Sequence, residues 1–199
     1  LYSALSTLRR VRTILKTLVG QMDILETMTP TEFSSFRDRL DTSSGFQSVQ
    51  FRELEFFLGY KREEMLRYLD PSWFGYDRAV RRFDEPALID YFYRFLVTQG
   101  IEVPTELLDR NVREMIKPNE DLQRLLIDTY RQRPDLVLLI EALCDVDEGM
   151  QEWRYRHVKL VERTIGQKTG TGGSAGVEFL KHSLFRSCVP DLWEMRKAF

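Results

Sequence analysis

The chain has 199 residues, of which 43% are hydrophobic and 30% charged, and its formal charge is −2 from 29 basic and 31 acidic side chains. That length and composition give one domain with a sizeable core and exclude a disordered chain. The near-neutral charge leaves no footprint for nucleic acid or an anionic membrane, and no apolar run approaches the roughly 20 residues of a membrane helix.

The first element is an amphipathic helix over residues 1–27. Leu1, Leu5, Leu8, Val11, Leu15, Leu18, Met22 and Leu25 recur in steps of three and four, which makes one stripe. Thr29-Pro30-Thr31-Glu32 then reads as a helix start, with Thr29 as cap, Pro30 at the first position and Glu32 completing a capping box. The short helix carries Phe33, Phe36, Arg37 and Leu40 and breaks at Ser43-Ser44-Gly45. Ser44 and Gln47 suggest a second capping box, opening a helix to about Leu58. Residues 61–131 read as further helix, interrupted at Pro71, Gly75, Pro86, Gly100, Pro104 and Pro118. Pro134 opens a long helix to about Gly166. A glycine loop over 169–176 follows, then helices near 176–186 and 190–198. No strand alternation is evident. The expected fold is all-α, a bundle of long antiparallel helices.

Three groups of residues could carry chemistry. His157 lies on one helical face with Met150, Trp153, Leu160 and Thr164. A histidine on an apolar stripe reads either as a satisfied core residue or as an axial haem ligand. Haem needs one imidazole on a rigid helix, facing an apolar slot, with a partner for its other nitrogen, whereas zinc needs three or four ligands that no nearby His or Cys supplies. The other histidine, His182, sits in a polar segment and reads as surface. The loop Gly170-Thr171-Gly172-Gly173-Ser174-Ala175 formally satisfies a dinucleotide fingerprint. It follows a helix rather than a strand, so that match is accidental. The loop is either a plain linker or a closure over a small polar ligand, offering Thr171 and Ser174. Arg37 stands one helical turn from Phe33. It is either a surface arginine or a clamp for a carboxylate whose apolar part packs on the ring. Cys144 and Cys188 form no disulfide framework, which suits a reducing cytoplasm.

Together these segments resemble the tryptophan 2,3-dioxygenase family. The resemblance rests on Leu25-Glu26-Thr27-Met28-Thr29, Phe36-Arg37, Ser43 to Ser48 with Gln50-Phe51-Arg52, Trp153 to Val158, Gly170 to Gly176, and Pro190-Asp191-Leu192-Trp193, in the family's order over nearly the whole chain. It implies a single all-helical haem-binding domain over residues 1–199, built around a haem b pocket and assembling as a homotetramer. His157 would be the proximal iron ligand and Trp153 would pack beside it. Ser44 and Gly45 would lie close to the haem. Arg37 would pair with the substrate carboxylate, Phe33 would line the same pocket, and Thr171 would hydrogen-bond the amino-acid head group. The implied reaction inserts both atoms of O₂ across the indole C2–C3 bond of L-tryptophan to give N-formylkynurenine.

One family feature has no counterpart in these residues. The family carries a distal histidine in a segment resembling His-Gln-x-x-Glu-Leu-Trp, and nothing similar occurs here. The chain also begins Leu1-Tyr2-Ser3, without an initiator methionine. The expectation is the C-terminal portion of a longer chain. The alternative is a natural relative with altered chemistry, a haem-dependent monooxygenase of tryptophan or a substituted indole.

Overall fold

A computed structural model describes residues 1–40, 43–166, 168, 170 and 176–199. In chain order the α-helices are α1 (Tyr2–Leu25), α2 (Pro30–Arg37), α3 (Val49–Phe57), α4 (Tyr76–Asp84), α5 (Leu88–Thr98), α6 (Thr105–Leu108), α7 (Glu120–Gln132), α8 (Pro134–Ile165), α9 (Val177–Lys181) and α10 (Pro190–Glu194). Short 3₁₀ turns at Asp38–Leu40, Gly45–Gln47, Glu63–Tyr68 and Met195–Ala198 punctuate them. No strand occurs among the described residues, as the all-α reading requires. No helix among them is long and apolar enough to cross a membrane.

The residues fall into two compact units, one of Leu1–Ser44 with Glu141–Ser187, the other of Gly45–Ile140 with Cys188–Phe199. In the first, α1 lies along α8. Leu15, Val19 and Met22 are buried, while Leu18 and Leu25 of the same stripe stay 39% and 45% exposed. Each buried aliphatic side chain contributes roughly 1.5–3 kcal/mol, so the three buried residues carry the packing of α1. A Cβ on Gly149 would stand 3.0 Å from Leu15 Cδ1 and 2.9 Å from Arg12 Nη1, so the glycine lets the helices approach. Ion pairs fix their direction. Arg12 meets Glu152 at 3.4 Å and Arg156 meets Glu26 at 2.9 Å. The partners advance together along both helices, so α1 and α8 run parallel, and the expected antiparallel pairing does not extend to them. Residues 45–140 separate the two stretches, the long crossover that parallel neighbours need.

The second unit is held by buried polar pairs as well as by its core. Phe56, Met65, Phe83, Tyr93, Leu96, Leu122, Leu126 and Leu192 are almost fully buried. Arg110 grips Asp90 with two bonds of 2.6 and 2.8 Å, and Asp90 also accepts from the Ala87 N–H at the start of α5. Asp191 accepts from the Asn119 N–H at 2.7 Å and from Gln123 Nε2 at 2.9 Å, joining α10 to the start of α7. The helix after the 3₁₀ turn at Gly45–Gln47 is capped by Ser48, whose Oγ accepts from the Phe51 N–H. The helix is therefore capped four residues after the box expected at Ser44, by a single hydroxyl, because the chain takes a 3₁₀ turn before the helix begins.

Candidate functional site

After Pro134 fixes its first turn, α8 runs without a proline to Ile165, a rigid platform for any side chain on it. His157 is half-buried on this helix and stacks on Trp153, one turn earlier, with ring centroids 5.3 Å apart and planes 21° apart. Neither imidazole nitrogen makes a hydrogen bond with the described residues. Burial holds the imidazole below its usual pKa, so the ring is neutral and keeps a lone pair available. Among the described residues no three His, Cys, Asp or Glu side chains gather to hold a metal ion. A single neutral imidazole is what an axial haem ligand requires. His182 is exposed, its Nδ1 2.7 Å from the Glu178 carbonyl, in keeping with a surface role.

The contact between α1 and α8 carries a second group. Glu26, the residue that ends α1, accepts from Arg156 at 2.9 Å and from Arg163 at 3.4 Å, and Arg156 also pairs with Asp23. From Glu26 the chain turns tightly into α2. Thr27 N–H donates to Ile24 O and Met28 N–H to Leu25 O, both at 3.2 Å. The capping box forms as read from the sequence: Thr29 N–H donates to Glu32 Oε2 at 2.7 Å and Glu32 N–H to Thr29 Oγ1 at 3.3 Å. The Thr29 N–H and the Thr29 hydroxyl, which also donates to Oε2, hold the Glu32 carboxyl below the usual carboxylate range. Phe33 and Phe36 meet edge to face at 5.2 Å, and Arg37 closes the helix half-buried beside them.

The base of the glycine loop is also defined. Gly176 has φ +59° and ψ −124°, and a Cβ there would lie 2.8 Å from the Lys168 carbonyl oxygen. Only glycine permits that approach, which brings the two ends of the loop together. Beyond α9, Ser187 Oγ donates to the fully buried Asp147 at 2.9 Å and Arg154 Nη1 donates to the Arg186 carbonyl at 3.2 Å. Both bonds return the chain to α8. Thr171 and Ser174 lie outside the described residues.

The structure thus puts Phe33, Arg37, Trp153 and His157 in one unit, on α2 and α8. Ser44 ends a segment of that unit, half-buried, while the exposed Gly45 opens the other. Sequence reasoning missed the Glu26–Arg156–Arg163 group, although Arg156 and Arg163 stand seven apart on one helical face, a spacing that marks a shared partner. An open cleft of about 710 Å³ in the second unit, lined by Lys61, Glu63, Phe83, Arg113 and Lys117 among others, holds none of the expected site residues. Arg113 pairs there with Glu63 and Asp84, and Lys61 is bound to backbone carbonyls, so those cations are already engaged.

The sequence model of a family described as tryptophan 2,3-dioxygenase matches residues 1–77 and 91–199. The chain is 50% identical over 195 residues to the tryptophan 2,3-dioxygenase of Anaeromyxobacter dehalogenans (strain 2CP-C), covering 98% of this chain and 73% of that protein. Against the protein of that name from Herpetosiphon aurantiacus it is 49% identical over 192 residues, 96% of this chain and 72% of the other. Against that of Rhodococcus jostii (strain RHA1) it is 42% identical over 196 residues, 97% and 69% respectively.

Proposed function

Because the chain belongs to the tryptophan 2,3-dioxygenase family, we propose that it inserts both atoms of O₂ across the C2–C3 bond of L-tryptophan to give N-formylkynurenine, with haem b as cofactor and His157 as the proximal ligand. The observation that supports the site is the placement of His157: a single imidazole on the unbroken helix α8, held below its usual pKa by burial and stacked on Trp153. These residues fit a haem group. When bound, haem supplies the activation of O₂ at its iron.

The chain's own contribution is placement. The Arg37 guanidinium presents a planar fork that matches a carboxylate bidentately. Phe33, braced by Phe36, offers an apolar face to the indole. Thr171 hydrogen-bonds the amino-acid head group in this reading. Ser44 and Gly45 border the haem in this reading. Holding the carboxylate and ammonium fixes the indole relative to the reacting oxygen, which turns a bimolecular encounter into an oriented one.

Incubation with ¹⁸O₂ and L-tryptophan tests the reaction. Two labelled atoms in the product are expected; one labelled atom would reassign the chain as a monooxygenase. We further propose a cytoplasmic homotetramer. Two buried free cysteines suit a reducing compartment, and a solution mass about four times the chain's 23.6 kDa is expected from light scattering, a monomer contradicting it.

A further inference from the structure

Glu26 is engaged beyond what closing α1 requires. Its carboxylate is 13% exposed and takes two arginines on Oε2, Arg156 at 2.9 Å and Arg163 at 3.4 Å, while Oε1 is buried and accepts from none of the described residues. Arg156 Nε is likewise buried with no partner among the described residues, a complementary donor on a pair already bonded. A partly buried ion pair adds little net stability, because desolvating both charges offsets most of their attraction. Its distinctive property is direction, since a guanidinium fork bonds a carboxylate in few geometries.

The placement gives that direction a use. Arg156 immediately precedes His157 on α8. Glu26 stands seven residues before Phe33, and the chain between them is stiffened by the bonds of Thr27, Met28 and Thr29. Little slack separates the carboxylate from α2. We infer that Glu26 and Arg156 are positioning residues whose ion pair fixes α2 against the helix bearing the axial ligand, and so sets where the substrate carboxylate sits relative to His157. This rests on the reading of His157 as haem ligand and Arg37 as carboxylate partner. Displacements of about 1 Å far from the chemistry are enough to cost much of an oriented complex.

The haem-loaded protein is compared with its Glu26→Gln, Arg156→Gln, double and Arg163→Gln variants. Soret position, melting temperature and the L-tryptophan Kd from the substrate-induced spectral shift are recorded. The Soret band stays in place, because His157 is untouched. Each single variant at Glu26 or Arg156 weakens L-tryptophan binding about 5- to 10-fold, and the double variant is no weaker than the worse single, as expected of one coupled unit. Arg163→Gln, which removes the longer bond, gives a smaller change. Should a glutamine variant fail to fold, Glu26→Asp, which keeps the charge but shortens the reach, is read by the same Kd criterion. A lowered melting temperature with Kd unchanged overturns the inference and leaves a structural pair; so does a double variant whose losses multiply. A parent protein with no Soret band or no tryptophan-induced shift overturns the proposed function, and this inference with it.

Discussion

At the scale of single residues, two positions bear most on the proposed site. His157 makes no hydrogen bond with the described residues, and burial lowers its pKa. A lowered value means that the neutral, ligating form persists to lower pH, so haem ligation should survive acidification through the ordinary histidine value of about 6.5. Gly176 is the complementary case. Its φ of +59° with ψ −124°, and the 2.8 Å that would separate a Cβ from the Lys168 carbonyl, make any side chain there costly. Gly176→Ala is expected to strain the loop base by about 1–3 kcal/mol. L-Tryptophan binding should weaken severalfold while the Soret band is unchanged. A titration showing parent-like affinity would mean that the loop base does not bear on substrate.

At the scale of elements, Lys61 shows how a segment that falls outside the family match is secured. The match omits residues 78–90, most of α4 and the start of α5. Lys61 Nζ donates to the Arg82, Phe83 and Glu85 carbonyls at 2.8, 2.9 and 2.7 Å, closing the C-terminal end of α4. Lys61→Met would leave those acceptors unsatisfied and is expected to lower stability by about 2 kcal/mol at pH 7 in urea unfolding. Burial brings the Lys61 pKa down to about 8 from 10.5. Between those values the unfolded chain binds the extra proton, so stability should rise with pH from about 8 to about 10.5 relative to the methionine variant. A flat or falling difference would show that the three carbonyls outweigh burial. Local signals made part of this level legible. The Thr29–Glu32 box and the run from Pro134 need only neighbouring residues, and both occur. The start of α3 did not read correctly, because hydroxyls at Ser44 and Ser48 offer equivalent caps and only the intervening 3₁₀ turn selects Ser48. Glu26 and Arg156 lie 130 positions apart. No periodicity reports such a contact or the parallel direction of α1 and α8.

At the scale of the whole molecule, fold class and family were legible early because the diagnostic segments span the chain, from Leu25–Thr29 to Pro190–Trp193, in one order. A family match over residues 1–77 and 91–199 agrees with that span. What a lone sequence could not decide was the weight of His157, since a helical histidine on an apolar stripe is compatible with core or ligand. The ring stacks on Trp153, and Phe33, Arg37 and Trp153 share its unit, which supports the proposed ligand role. The most direct test is an absorbance spectrum of the protein after reconstitution with haem b, alongside a His157→Ala variant whose helical circular dichroism matches the parent. A Soret band in the parent that is lost or strongly shifted in the variant is the predicted result. An identical band in both, or none in the parent, would contradict His157 as the ligand that makes this chain a haem protein.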